Sequence, residues 1–386
     1  MIEEFRKVYG SVEGLRVFRA PGRVNLIGEH TDYNLGFVCP AALQLATYVG
    51  TAPADDGKLN IYSEQYRMGG EWPVSEVAHL QPMHVWIDYP LGVAHELIQA
   101  GFGIEPANLY IRSTVPEGSG LSSSAALEVS SALAFLNGRA MEPLELARLC
   151  QRAEREFVGM PCGIMDQYIS VFGREHSAVE IDCRSLGHRD VPLPAGITFV
   201  AVNTMVKHAL AGSAYKERVR ECAEAVEGLR LQLPGVASLR DVTVEQFESV
   251  ANVLPPIVAK RARHVVTEDD RVERFVAASA AGDLELMGRL LVESHRSLQH
   301  DYEVSCEELD FLVDAALGIA GVYGARMTGG GFGGCTVTLL QPEALDDFRR
   351  EITAAYQRQF GKTPAVYECT PSAGAGEVTS PQTLIF

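Results

Sequence analysis

The chain has 386 residues, more than one ordinary hydrophobic core organises, so two domains are expected. Hydrophobic residues make up 47% and charged residues 22%, a balance that excludes a disordered or fibrous chain. With 50 acidic against 33 basic side chains the formal net charge is -17, which repels nucleic acid and anionic membrane; cations that serve an anionic ligand must therefore act locally.

The opening MIEEFRKVYG is charged and lacks an apolar run, which predicts no secretory leader. No stretch reaches the roughly 18 apolar residues that a membrane span needs. The first segment dense in chemistry is 21–34, PGRVNLIGEHTDYN, with Arg23, Asn25, Glu29, His30 and Asp32 inside ten residues. Each hydroxyl of a sugar both donates and accepts, so it wants such convergent groups. Arg23 is a permanent planar cation suited to a transferring phosphate. The interleaved Val24, Leu26 and Ile27 tie the segment to a core. Residues 38–50 and 60–62 lean towards strand.

Next comes PEGSGLSSSAALEVSSAL from 116, a glycine loop running into an apolar helix. It places Ser122, Ser123 and Ser124 at a helix N-terminus, where free N–H groups and the helix dipole favour phosphate. No Gly-Lys-Ser/Thr follows, so it is not a Walker A loop, and the protein-kinase signatures are missing. Residues 144–157 carry Leu146, Leu149, Cys150, Ala153 and Phe157 at helical spacing. Glu154 and Glu156 on that segment are equal candidates for a metal carboxylate. CGIMDQ at 162–167 sets Asp166 among small and apolar residues, close to an element start. Residues 177–183 read as a strand. The polar, Pro- and Gly-punctuated RSLGHRDVPLPAG then marks a domain junction near Leu193.

The second half opens with a strand at 197–203. Residues 215–229 put Val219, Cys222, Val226 and Leu229 on one helical stripe. Thr243 with Gln246, and Ser305 with Glu308, read as capping boxes. Strands at 324–327 and 335–340 flank TGGGFGG, five glycines in the six positions 329–334. Glycine in ordered structure costs roughly 0.5–1 kcal/mol relative to alanine, so the run implies a backbone that needs close approach. The irregular mixture of strands and helices argues for α+β. Eight scattered cysteines without a CxxC pair predict reduced thiols in a cytoplasmic protein.

APGRVNLIGEHTDYN resembles the galactokinase signature nearly letter for letter, and PxGxGLSSSAA resembles the phosphate loop of the wider GHMP small-molecule kinases. The resemblance runs from Ala20 to the region of Cys369. It implies a two-domain GHMP kinase fold: residues 1–193 as a mixed sheet with helices, residues 194–386 as a ferredoxin-like α+β layer, and the site in the cleft between them. The extreme C-terminus is free to pack back on the first domain. By the same resemblance Asp166 is the catalytic carboxylate and Arg23 stabilises the transferring phosphoryl group. Glu29, His30, Thr31, Asp32, Gly163 and Tyr215 meet the sugar.

ATP lies along Gly118, Ser119, Gly120, Leu121, Ser122, Ser123 and Ser124, with Trp86 as an adenine wall and Lys207 reaching a phosphate. The resemblance also implies Mg2+ on Ser124 and Glu154, the latter by its family position, twelve residues before Asp166. The segment around Tyr215 departs from the family, with Ala214 where glutamate is common and Val219 where arginine is common. The implied activity is ATP-dependent phosphorylation of galactose at C1, by a monomer whose partners are galactose and ATP, with no nucleic acid and no membrane. A kinase for another sugar, or a non-catalytic galactose and ATP sensor, are the alternatives.

Overall fold

The computed structural model describes residues 1–207 and 211–379. Strands run at Arg16–Asn25 (β1), Phe37–Val38 (β2), Pro40–Pro53 (β3), Lys58–Ser63 (β4), Met68–Pro73 (β5), Ala107–Ser113 (β6) and Ser177–Asp182 (β7). They continue at His188–Pro192 (β8), Thr198–Lys207 (β9), Val322–Thr328 (β10), Gly333–Leu340 (β11), Ala365–Cys369 (β12) and Gly376–Glu377 (β13). The first sheet has the order β13-β1-β3-β6-β4-β5 and is antiparallel except for the β4–β6 pair. A small sheet, β2-β7-β8, stands beside it. The last sheet has the order β10-β11-β9-β12 with every pair antiparallel, and helices separate β9 from β10 and β11 from β12. That is the βαββαβ topology of a ferredoxin-like layer.

Apolar packing forms several clusters, one of which spans the two halves of the chain. Leu59, Ile61, Leu91 and Val129 fill the space between the first sheet and its helices. Val24 and Leu26 of the first half share a cluster with Phe199, Val272 and Leu291 of the second. A third cluster, with Phe247, Val265 and Leu298, holds the helical insertion between β9 and β10 together. Among the described residues, no helix is long and apolar enough to cross a membrane.

Most segment readings match the observed elements, and three details differ. The stretch read as a junction contains β8, which pairs with β7; its polar residues face outward while Val191 supplies the buried contact. Thr243 and Gln246 do form a capping box. Ser305 and Glu308 do not. Cys306 occupies the N-cap of the helix Glu307–Leu317, and the Ser305 hydroxyl donates instead to Asp310 Oδ1. The helical segment at 144–157 is two structures: an α-helix, Pro143–Arg152, that passes into a π-helical turn, Ala153–Val158. Such turns commonly mark functional sites, because one extra residue per turn re-aims the side chains.

Candidate active site

A bulge in β1 places the first functional side chain. The β1–β3 register shifts between Pro21 and Arg23, where proline cannot donate to the ladder. Arg23 emerges buried from this kink. Its backbone N–H donates to Leu121 O (3.0 Å), and its guanidinium donates to the Gly120 carbonyl. The rest of the fork meets Asp166, Nε to Oδ1 at 2.9 Å and Nη2 to Oδ2 at 3.0 Å. Asp166 lies in the first turn of the helix Met165–Phe172, and the Ser122 hydroxyl also donates to it. One bidentate pair therefore fastens β1, the glycine loop and this helix together.

The glycine loop runs into the helix Ser123–Leu136, whose N-cap Ser122 has φ 59° and spends its hydroxyl on Asp166 rather than on the helix end. The first N–H groups of the helix thus stay available to an anion. Gly118, Ser123 and Ser124 line a cavity of about 520 Å³, together with Trp86. Tyr66, which the sequence reading missed, lines it as well and stacks on Trp86 with centroids 5.2 Å apart and planes 18° apart. Ser119 and Leu121 are fully buried and turn their side chains inward: Ser119 Oγ donates to Pro116 O (2.7 Å), and Leu121 joins the core. Only their backbones are left for a ligand. The third motif leans on this loop: a methyl group on Gly329 would lie 3.1 Å from Gly120 O. The Lys207 side chain falls outside the described residues.

A second cavity, of about 260 Å³, is lined by Arg23, Glu29, His30, Asp32, Gly163, Asp166, Tyr215 and the turn at 329–332. Glu29 is buried. Its Oε1 accepts from Gly329 N (2.7 Å) and Thr328 Oγ1 (3.2 Å) and lies 3.3 Å from the fully buried Arg326. Burial pushes its carboxyl above the usual range despite Arg326 and Arg23. The loop carrying it is pinned from behind by Glu268 of the long helix Pro256–Ala281, which accepts from Gly28 N at 3.0 Å. Burial works to raise the Glu268 carboxyl, but Arg271, His264 and Arg326 hold it well below the usual range, so it stays ionised.

Asp32 is half-buried, and burial together with the Asp166 charge raises it to about 7. A methyl group on Gly163 would lie 1.7 Å from Asp32 Oδ2, so only glycine fits there. Thr31 is a correction to the expected sugar contacts. It is fully buried, it does not line the cavity, and its hydroxyl is spent on the Gly28 (2.9 Å) and Phe37 (2.6 Å) carbonyls, closing the turn that presents Asp32.

Glu154 reaches the same cavity from the π-helical turn, whereas Glu156 is exposed and lines neither cavity. Gln167 Nε2 donates to Glu154 Oε2 (2.7 Å) and to the fully buried Glu128 Oε2 (2.9 Å). Burial and the Asp166 charge raise Glu154 to about 7, against the Ser124 hydroxyl beside it, which lowers it. Burial and Glu154 push Glu128 well up. Sequence reasoning missed Glu128 and Gln167. Their only signal is a polar residue on an otherwise apolar helical face.

The GHMP kinases N terminal domain matches residues 88–174 and the GHMP kinases C terminal domain matches residues 275–358, so the fold and the phosphate loop define a GHMP kinase. The galactokinase galactose-binding signature matches residues 3–53. The chain is 46% identical over 361 residues to a galactokinase of Chloroflexus aggregans, covering 93% of this chain and 92% of that protein. It is 44% identical over 378 residues to a galactokinase of a Roseiflexus species, covering 97% and 96%. The crystal structure of Lactococcus lactis galactokinase complexed with galactose superposes with a TM-score of 0.94 at 36% identity, over 98% of each chain. The chain belongs to the galactokinase family.

Proposed function

We propose that this chain transfers the γ-phosphate of ATP to the C1 hydroxyl of D-galactose, giving galactose 1-phosphate and ADP. The observation that carries the reading is the Arg23–Asp166 pair, which lines the smaller cavity while Arg23 bonds the glycine loop that borders the larger one. ATP occupies the larger cavity with adenine near Trp86 and Tyr66 and its phosphates over residues 118–124. Galactose occupies the smaller one, against Glu29, His30, Asp32, Gly163 and Tyr215.

Asp166 orients the C1 hydroxyl and takes its proton late, as the sugar oxygen forms its bond to phosphorus and the bond to ADP breaks. Arg23 balances charge on the transferring group. Magnesium needs oxygen ligands and keeps few from protein. Ser124 and Glu154 fit it, because Glu154 is a buried carboxylate crowded by Asp166 and relieved by a cation. The bound ion would neutralise phosphate charge.

The reading includes a division into 1–193 and 194–386, supported by the end of β8 at Pro192 and the start of β9 at Thr198. It also includes a monomeric, cytoplasmic enzyme, in keeping with eight free thiols and with exposed large apolar residues that are scattered along the chain. A non-catalytic sensor is disfavoured by the intact Ser122–Asp166 contact. ADP release measured with ATP, magnesium and a panel of hexoses and pentoses tests it. Turnover with galactose is expected, and a preference for another sugar would overturn the substrate assignment.

A further inference from the structure

His30 stands out among the groups facing the smaller cavity. Its φ of 63° is in the left-handed region, uncommon for a residue with a side chain and typical of functional positions held by their surroundings. The ring is buried, and Nε2 has no hydrogen-bond partner among the described residues. Burial, with His264, Arg218 and Arg326 nearby, lowers its pKa to about 3, so the imidazole is neutral and offers one donor and one acceptor. Which nitrogen carries the proton is set by the bond at the other one.

That other bond starts a buried chain. His30 Nδ1 lies 2.9 Å from Tyr33 OH, Tyr33 OH lies 2.7 Å from Tyr302 OH, and Tyr302 OH lies 3.1 Å from Cys222 Sγ. Tyr302 ends a π-helical turn, Leu298–Tyr302, and is fully buried. Its backbone carbonyl accepts from Arg218 Nε at 2.7 Å. Its ring packs between two histidines, with centroids 4.8 Å from His30 and 4.6 Å from His264. His264 in turn meets the Glu29 carbonyl through Nε2 at 3.0 Å. Burial holds the Tyr33 and Tyr302 phenols well above their usual range, so both keep their protons.

We propose that Tyr302, more than 270 residues from His30 along the chain, is a positioning residue for sugar recognition: through Tyr33 it decides whether His30 Nε2 presents a proton or a lone pair to a sugar hydroxyl. This rests on the reading that His30 faces galactose. The test uses the full chain with galactose and each monodeoxygalactose, comparing wild type, His30→Ala, Tyr302→Phe and Tyr33→Phe. Phenylalanine keeps both rings packed, so only the hydroxyl links are lost.

Removing one link should raise the galactose KM by about tenfold, the size of a lost buried hydrogen bond, with kcat and the ATP KM within about twofold of wild type. On the one deoxy sugar where His30→Ala is also silent, Tyr302→Phe should be silent. A Tyr302→Phe enzyme that matches wild type on galactose, or that loses affinity equally for every deoxy sugar, overturns the proposal. If His30→Ala itself leaves galactose KM unchanged, the placement of His30 at the sugar fails instead.

Discussion

The two ends of the site are built on opposite principles. At the phosphate end, Asp166, Glu154 and Glu128 crowd together, and burial with mutual repulsion raises Glu154 and Glu128. At the sugar end, His30 is ringed by Tyr33, Tyr215 and Tyr302, all neutral and packed edge to face or tilted. In the first, Arg23 already pairs with Asp166, while Glu154 and Glu128 are neighbouring buried carboxyls that share one Gln167 amide. The second holds its rings in place before any ligand enters, and leaves His30 Nε2 open among the described residues. On the proposed reading, binding at the phosphate end would draw on relieved repulsion between Glu154 and Glu128, and binding at the sugar end on groups already held in place.

Asp32 sits where the two meet, and its removal should have the largest effect. On the proposed reading this half-buried carboxylate would bond the axial 4-hydroxyl of galactose, and glucose would leave it unpaired. Asp32→Ala should then shrink the galactose-to-glucose ratio of kcat/KM by as much as about 10⁴-fold. Measuring both sugars on both proteins checks it; a variant that loses activity but keeps its full ratio would move the discrimination to Tyr215 or the backbone at Gly163. Asp166→Asn comes next: turnover should fall about 10²-fold or more while galactose still binds, because the acceptor charge is lost and the shape is kept. Near-normal turnover there would make the crowded end merely structural.

Smaller effects sharpen the contrast. With Asp32 raised to about 7, lowering the pH from 8 to 6 protonates it and removes an acceptor for sugar hydroxyls. Galactose affinity of the nucleotide-free protein, followed by calorimetry, should weaken by about tenfold over that range, and Asp32→Asn should flatten the profile. Glu154→Gln should raise the magnesium requirement severalfold and leave nucleotide-free galactose affinity unchanged, whereas Glu156→Gln should alter neither. The reverse pattern would assign the metal to the exposed carboxylate.

What the sequence revealed follows the range of each interaction. The motifs at 21–34, 116–126 and 162–167 were legible because their chemistry is concentrated within a few residues. The ferredoxin-like layer was legible only through the family resemblance, since its strands and the glycine run between them by themselves indicate no more than an α+β mixture. Tyr302, Arg326, Glu268 and Glu128 were not, since each acts on a partner brought near only by folding, and each sits in a segment that reads as ordinary helix or strand. The bonds of the Thr31 hydroxyl to the Gly28 and Phe37 carbonyls were not legible, because a signature does not separate residues that shape a turn from those that touch a ligand. Ser305 was misjudged because a nearby Asp310 competes for its hydroxyl. The π-helical turn carrying Glu154 leaves no mark in a periodicity count that tolerates one extra residue.

The pairing of β13 with β1 sets an order of assembly. β1 is the strand that carries the arginine of the site, and its outer edge is covered by Gly376 and Glu377, with the Val378 N–H donating to the Val17 carbonyl at 2.8 Å. During synthesis β13 follows the end of β1 by about 350 residues, which is roughly 20–70 s at ~5–20 residues per second. For that interval the nascent sheet carries an open edge able to recruit a strand from another chain. Arg16 and Arg19 stand on that edge. In the folded chain Arg16 bonds Glu377 and Arg19 bonds Ser372 and the Ala373 carbonyl, and both also reach groups outside this tail, Asn137 for Arg16 and the Leu43 carbonyl for Arg19. The seam between β1 and β13 is therefore the last pairing of the first sheet to form.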